Sequence, residues 1–279
     1  MTKHFSTLLK SISPLQIVGV PNAFFAKIAQ DIGVKALYLS GSAVAANQFA
    51  LPDLGLLSLD VIFEEARRIV EATELPLLVD IDTGWDHPLL LEEAAHRFSK
   101  LGPIALQVED QAGAKRCGHR DGITLVSTEE MVERIKALKG IEIVARTDAL
   151  SIEGIEKTIE RCKAYVQGGA DILFVEAIPS LEMIKELKKH LTKPLLVNLT
   201  EFGKTPSFSL TEMKEVKADA LLYPVSLSRV IWGAGQRFLK QFLQEGSASF
   251  AKDEMMDRKE LYRLLDYETW EKKLGGNAH

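Results

Sequence analysis

Cysteine is nearly missing from this chain, with two residues in 279. That is too few for a disulfide framework, so a hydrophobic core must hold the fold, and both thiols are expected to stay reduced. Apolar runs long enough to span a bilayer are absent as well. The first residues carry Lys3 and Lys10 but neither the sustained apolar region nor the small-residue cleavage site of a secretory leader. A cytosolic location is therefore expected, with no membrane partner. The chain also lacks a strong charge of either sign: 34 Lys and Arg stand against 39 Asp and Glu, a formal net charge of −5. Binding to nucleic-acid phosphates needs a concentrated basic surface that this balance does not supply, whereas a small anionic substrate needs only local charge.

What is present describes a globular protein. Hydrophobic residues make up 46% and charged residues 26%, and the mean hydropathy is +0.02, unlike a disordered or membrane chain. The length lies in the range that α/β barrels occupy as one unit. Short apolar, β-branched runs occur at Ile17–Val20, Ala36–Ser40, Leu77–Ile81, Ile104–Glu109, Ile141–Arg146, Asp171–Glu176, Pro194–Asn198 and Ala218–Tyr223. Helical apolar spacing separates them. Eight β/α repeats predict a (β/α)8 barrel, a single domain over 1–279 whose residues 245–279 form a C-terminal helical extension.

Polar residues gather at the ends of these runs. Ser40, Asp80 with Asp82, Glu109, Arg146 with Asp148, Glu176, and Asn198 with Thr200 all end or follow one. In an α/β barrel such positions converge on the active-site face. The pair Glu109 and Asp110, together with Asp80 and Asp82, has the look of a divalent-metal site. The segment Lys115–His119, KRCGH, sets a thiol between two cations and a histidine, which equips Cys117 to ionise and to move a proton. Cys162, within the helical pattern of 151–167, reads as a small packing residue. The longest strand-to-helix connections are expected at 41–57 and 110–126, and Gly113, Gly118 and Gly122 make the second read as a lid. Helices are expected over 225–244 and 253–265, followed by a polar tail. Leu261, Leu264, Leu265, Tyr267 and Trp270 predict that this end packs on the barrel or on a neighbouring subunit.

YLSGSAVAA (38–46), LPDLG (51–55), DIDTG (80–84), VEDQAGAKRCGH (108–119), ARTDA (145–149) and NLTEFG (198–203) together resemble the isocitrate lyase and phosphoenolpyruvate mutase superfamily over nearly the whole chain. The KRCGH loop resembles that of its lyases. The resemblance implies a carbon–carbon lyase that cleaves 2-methylisocitrate to pyruvate and succinate in propionate catabolism. It further implies Mg²⁺ or Mn²⁺ as cofactor and a homotetramer with exchanged C-terminal helices.

By the same resemblance Cys117 is the acid that protonates the carbanion-like carbon, with Lys115, Arg116 and His119 tuning it. Asp80 and Asp82 are the metal residues, supported by Asp53 and Glu109. Arg146, Arg229 and Arg258 match positions that bind substrate carboxylates, and Ser40, Gly41, Ser42, Gly118, Glu176, Asn198, Leu199 and Thr200 are further substrate contacts. The base that takes the hydroxyl proton stays open between Tyr38, a metal-bound water and a carboxylate. Phe174 and Leu222 favour a methyl-bearing substrate, as does the lack of long insertions. Gln107, Ser42 with Ala43, and Trp85 with Asp86 depart from the pattern of such enzymes. Isocitrate or another 2-hydroxy acid is the nearest alternative substrate. A mutase, hydrolase or decarboxylase would have no evident use for Cys117, and a noncatalytic organic-acid-binding barrel is the reading from another class.

Overall fold

All eight apolar runs are strands in the computed structural model, which describes residues 4–113, 118 and 122–275. They are β1 (Leu15–Gly19), β2 (Ala36–Leu39), β3 (Leu77–Asp80), β4 (Ile104–Glu109), β5 (Glu142–Thr147), β6 (Ile172–Val175), β7 (Leu195–Asn198) and β8 (Ala220–Tyr223). Each pairs in parallel with its neighbour in sequence, and β1 closes on β8, giving the expected (β/α)8 barrel. The register sets Asp80 beside Gln107 and Glu109 beside Arg146.

The helices are α1 (Phe5–Ser11), α2 (Ala23–Asp31), α3 (Gly41–Phe49), α4 (Leu59–Ala72), α5 (Pro88–Phe98), α6 (Thr128–Ala137), α7 (Leu150–Glu153), α8 (Ile155–Gly168), α9 (Leu181–His190), α10 (Leu210–Glu215), α11 (Ser226–Glu245), α12 (Arg258–Leu264) and α13 (Tyr267–Lys273). None of the described helices is long and apolar enough to cross a membrane.

Because side chains alternate along a strand, each strand feeds two cores. Outward residues such as Leu37, Val79, Leu106 and Leu173 join the helices in one buried cluster. Inward residues, among them Ile17, Ala36, Leu78, Ala105, Val144, Ile172, Leu196 and Ala220, fill the barrel axis. Helix α1 plugs the N-terminal end with Phe5 and Leu8. Its first amides are satisfied by Glu142, whose carboxylate accepts from the N–H groups of Phe5 and Ser6 at 2.9 Å each. Burying such aliphatic and aromatic side chains stabilises the fold by about 1.5–3 kcal/mol apiece. The floor of the barrel is thus apolar and sealed, which leaves the opposite end for polar groups.

Four sequence expectations need correction. The 41–57 connection is not a plain loop, since its first half is α3, started by Ser40, whose hydroxyl accepts from the Ala43 N–H. The helical pattern of 151–167 is two helices, parted at Gly154, whose φ of +83° suits glycine. The helix expected over 253–265 is a 3-10 turn (Ser249–Glu254) and then α12, which Asp257 caps. The supposed polar tail contains α13.

Within its own chain the C-terminal end is only lightly docked. Leu264 is buried and Arg263 pairs with Asp31 of α2, but Leu243 and Leu274 are more than 80% exposed, and Trp232, Leu239 and Trp270 also face solvent. Cys162 is fully buried on α8, and burial pushes its thiol up to about 12, with Asp110 adding to the effect. It is a packing residue, as expected.

Candidate active site

The strand alternation that fills the floor with Ala36, Leu78, Ala105, Val144, Ile172 and Leu196 places Tyr38, Asp80, Gln107, Arg146, Phe174 and Asn198 one step higher on the same inward faces. Here a cavity of about 150 Å³ opens at the C-terminal mouth. Of the residues predicted for the site, Tyr38, Ser40, Ser42, Asp53, Asp80, Gly118, Arg146, Glu176, Asn198, Thr200 and Arg229 all line it. Phe174 and Leu222, singled out for substrate shape, form part of its apolar wall.

Asp80, Asp82 and Glu109 bring carboxylate oxygens within 4.8 Å of one another. An all-oxygen set of this kind suits a hard divalent cation. The supporting bonds are specific: Asp80 accepts from the Gly41 N–H at 3.3 Å, the Gln107 amide at 3.1 Å and the Asp82 N–H at 3.2 Å. Asp82 does not reach the group by strand alternation, because β3 ends at Asp80. The chain turns instead, with Asp82 left-handed at φ +51°, a conformation that Asp tolerates better than most residues. The Asp80 carboxylate closes that turn. Asp53, assigned to the same task, lines the cavity.

Glu109 lies 3.3 Å from Arg146, whose guanidinium also meets Asp148 at 3.1 Å and Glu176 at 3.3 Å. Burial works against the charge on Arg146, but Asp148, Glu109 and Glu176 overcome it and hold the group cationic far above its usual range. Its charged plane also lies 5.3 Å from the centre of the Phe174 ring. Gly118 presses against this cluster. A Cβ there would fall 2.3 Å from Arg146 Nη2 and 2.4 Å from Asp148 Oδ1, so only glycine fits without displacement. Across the cavity Asn198 donates to both oxygens of Glu176 at 3.2 Å. Arg229, in the first turn of α11, donates to the Glu201 carbonyl and lies over Phe202.

Two predicted contacts lie elsewhere. Leu199 turns into buried surroundings, and its N–H donates to the Leu222 carbonyl at 2.8 Å. Arg258 opens α12, exposed, and lines a separate cavity formed by α12, α13 and the residues between them. Lys115, Arg116, Cys117 and His119 lie outside the described residues. The described base of their connection is closed by the Gln111–Leu125 bridge and by the Ala112 N–H donating to Thr124 O at 2.8 Å. Glu201 and Phe202 line the cavity but were given no place there from sequence, and Asp148, expected on the active-site face without a role, binds Arg146. Asp148 had a readable signal, since it stands two residues beyond Arg146 and so shares its face.

Comparison with known proteins agrees with this geometry. The family model described as phosphoenolpyruvate phosphomutase matches residues 5–243. A 2-methylisocitrate lyase of Shewanella oneidensis is 43% identical, covering 97% of this chain and 95% of its own. That of Escherichia coli is 42% identical over 98% and 94%. Among solved structures, a 2,3-dimethylmalate lyase superposes with a TM-score of 0.88 at 31% identity, covering 98% of this chain and 95% of that one. With the barrel, the acidic triad and the motif series in agreement, this chain belongs to the phosphoenolpyruvate phosphomutase family, within the PEP mutase/isocitrate lyase superfamily.

Proposed function

We propose that this protein is a Mg²⁺-dependent lyase that cleaves 2-methylisocitrate to pyruvate and succinate. The observation that carries the reading is the cavity itself, where an oxygen-only acidic triad lies beside a buried arginine in a chain 42–43% identical to enzymes of that name. Asp80 and Asp82 would hold the ion with support from Glu109 and Asp53, and Mn²⁺ has the same preference for oxygen ligands. When bound, the ion supplies Lewis-acid stabilisation of negative charge on the substrate oxygen.

The chain's own groups do the remaining work. Arg146 and Arg229 bind substrate carboxylates through charge-assisted hydrogen bonds, and Ser40, Gly41, Ser42, Asn198 and Thr200 orient them. Phe174 and Leu222 offer an apolar wall to the methyl group. As the carbon–carbon bond breaks, its electron pair goes to the carbon that becomes part of succinate. Cys117 delivers a proton there, with Lys115, Arg116 and His119 around it, while the hydroxyl proton passes to a base (Tyr38, a water or a carboxylate of the site) as the ketone of pyruvate forms. A cytoplasmic homotetramer with exchanged C-terminal helices is part of the same proposal. It would cover the exposed apolar residues of α11 and α13 and carry Arg258 away from its own barrel.

A second reading, cleavage of isocitrate or a related 2-hydroxy acid, is favoured by the 31% identity to a 2,3-dimethylmalate lyase, since one methyl group changes discrimination by only about 1–3 kcal/mol. Pyruvate and succinate formation from 2-methylisocitrate with Mg²⁺, set against turnover of isocitrate and 2,3-dimethylmalate, decides between them. Faster cleavage of either competitor would overturn the substrate assignment. Cys117→Ser is expected to lose nearly all turnover while keeping its affinity for Mn²⁺, because serine is a far weaker acid and the carboxylates are unchanged. Normal turnover in that variant would refute the proton-donor role.

A further inference from the structure

The turn that follows β7 carries a carboxylate to the mouth of the barrel. Glu201 lines the cavity there, beside Arg229 in the first turn of α11. The two residues meet twice. Arg229 Nη1 donates to the Glu201 carbonyl, and the carboxylate oxygen Oε2 of the same residue lies 3.6 Å from that nitrogen. The other oxygen, Oε1, accepts from the hydroxyl of Ser226, the residue that opens α11. Oε2 is screened from solvent yet makes no hydrogen bond, so its charge is answered by Arg229 through space.

This is the place that a ligand carboxylate needs. Arginine takes a carboxylate on its planar fork, and Glu201 already sets an acid beside the fork of Arg229. Its hold is light. Arg229 and Glu201 keep 34% and 39% of their side chains exposed, where an ion pair is weak. The next residue, Phe202, is 97% exposed and left-handed at φ +62°, a conformation unfavourable for an aromatic side chain, and its ring centre lies 5.3 Å from the Arg229 guanidinium. An incoming carboxylate either meets Glu201 as a like charge or sends it outward, and a turn at the solvent edge lets the second happen. We propose that Glu201 is an internal stand-in for a ligand carboxylate at Arg229, which a dicarboxylate must displace on binding, so that the site releases an anionic product more readily than its arginines alone would allow. The inference rests on the functional reading above for the role of Arg229 and for succinate as a product.

The test measures binding, so it does not depend on turnover. Succinate affinity is measured by calorimetry, with Mg²⁺ in excess, in wild type, Glu201→Gln, Arg229→Gln and the double variant. Glutamine keeps the size of Glu201 and an acceptor for Ser226 but not the charge. Glu201→Gln should bind succinate about threefold tighter, the scale of one partly exposed ion pair, whereas Arg229→Gln should bind it more weakly. In the double variant the gain should vanish, because without the guanidinium there is no pair to displace. A residue that merely shaped the turn, or that aimed Arg229, would weaken binding when altered. If the Arg229→Gln variants bind too weakly to measure, a crystal structure of the wild type with succinate takes their place, and it should show succinate paired with Arg229 and the Glu201 carboxylate moved away.

Unchanged or weaker succinate binding by Glu201→Gln would overturn the proposal. So would an equal gain in the Arg229→Gln background, a complex in which Arg229 keeps Glu201 as its partner, or a wild type that does not bind succinate. Failure to cleave 2-methylisocitrate with this binding pattern intact would count against the functional reading and leave the displacement standing.

Discussion

Glu109 and Asp110 follow one another in the chain, yet they belong to two buried charge clusters that lie back to back at the ends of β4 and β5. Glu109 belongs to the inner group, where it meets Asp80 and Asp82 within 4.8 Å and pairs with Arg146, which also binds Asp148 and Glu176. Asp110 faces the helices. Its carboxylate accepts from Thr147 Oγ1 at 2.6 Å, the Tyr165 hydroxyl at 2.7 Å and the Asp148 N–H at 3.1 Å. Behind Tyr165, Arg161 makes a two-pronged bond to Glu153 and a third bond to the Val126 carbonyl, and Arg134 holds the Glu109 and Gln111 carbonyls. Burial pushes the Asp110 carboxyl up, and the bonds from Thr147 and Tyr165 pull against it.

The difference is one of placement. The outer acids' hydrogen bonds run from group to group between strand ends and helices, whereas the inner acids gather at the mouth of the barrel beside the cavity. Buried charge in general is weak evidence for function, because a well-bonded network can be purely structural. The inner group instead brings three carboxylates within 4.8 Å of one another, and that convergence of hard oxygen donors is the physical basis for reading it as a cation site.

Substitutions on the two sides should therefore behave differently. The largest effect is expected at Gly118. Gly118→Ala drives a methyl group into Arg146 and Asp148, and a displacement of about 1 Å at such a point costs roughly 100-fold in kcat/KM. Steady-state kinetics alongside a melting curve should show that loss with Tm little changed.

Tyr165→Phe tests the outer side. It removes a bond to a buried carboxylate, so denaturant unfolding should show a loss of about 2 kcal/mol while kcat/KM stays within about twofold. A large loss of activity without a loss of stability would erase the distinction between the clusters.

The smallest change within any one pH unit is a pH dependence on the outer side. The Cys162 thiol rises from its usual 9.0 to about 12 in the folded protein, so the native state holds this proton more tightly than the unfolded chain does. The associated stability is complete below pH 9 and is lost as pH rises through 12, at about 1.4 kcal/mol per pH unit within that window. In Cys162→Ala the difference from wild type should shrink over that range, as measured by urea unfolding at stepped pH. A difference that does not change with pH would show the thiol to be less buried than its surroundings imply.

Much of this was legible in the sequence, and for identifiable reasons. Strand alternation is enough to send Tyr38, Asp80, Arg146, Phe174 and Asn198 to the axis, so the eight apolar runs and the polar residues at their ends already outlined the mouth. Asp82 reaches the acidic group through a left-handed turn that depends on its own neighbours rather than on a strand period of two. Helix α3 was hidden in a small-residue stretch, GSAVAANQF, whose weak amphipathic pattern gives little sign of a helix. Arg258 was carried over by motif, but its place depends on how the C-terminal helices pack, which no local pattern determines. The place of Gln107 between Tyr38 and Asp80 shows only in the folded barrel.

The central claim is that the inner acids form a cation site. Titration of the substrate-free protein with Mn²⁺, followed by electron paramagnetic resonance, tests it most directly. The account predicts one ion bound per chain and at least about a 100-fold loss of affinity in Asp80→Ala, beyond the 10–100-fold typical when only an outer supporting group is removed. A wild-type protein that binds no ion stoichiometrically, or an Asp80→Ala variant that binds it as well as wild type does, would contradict it.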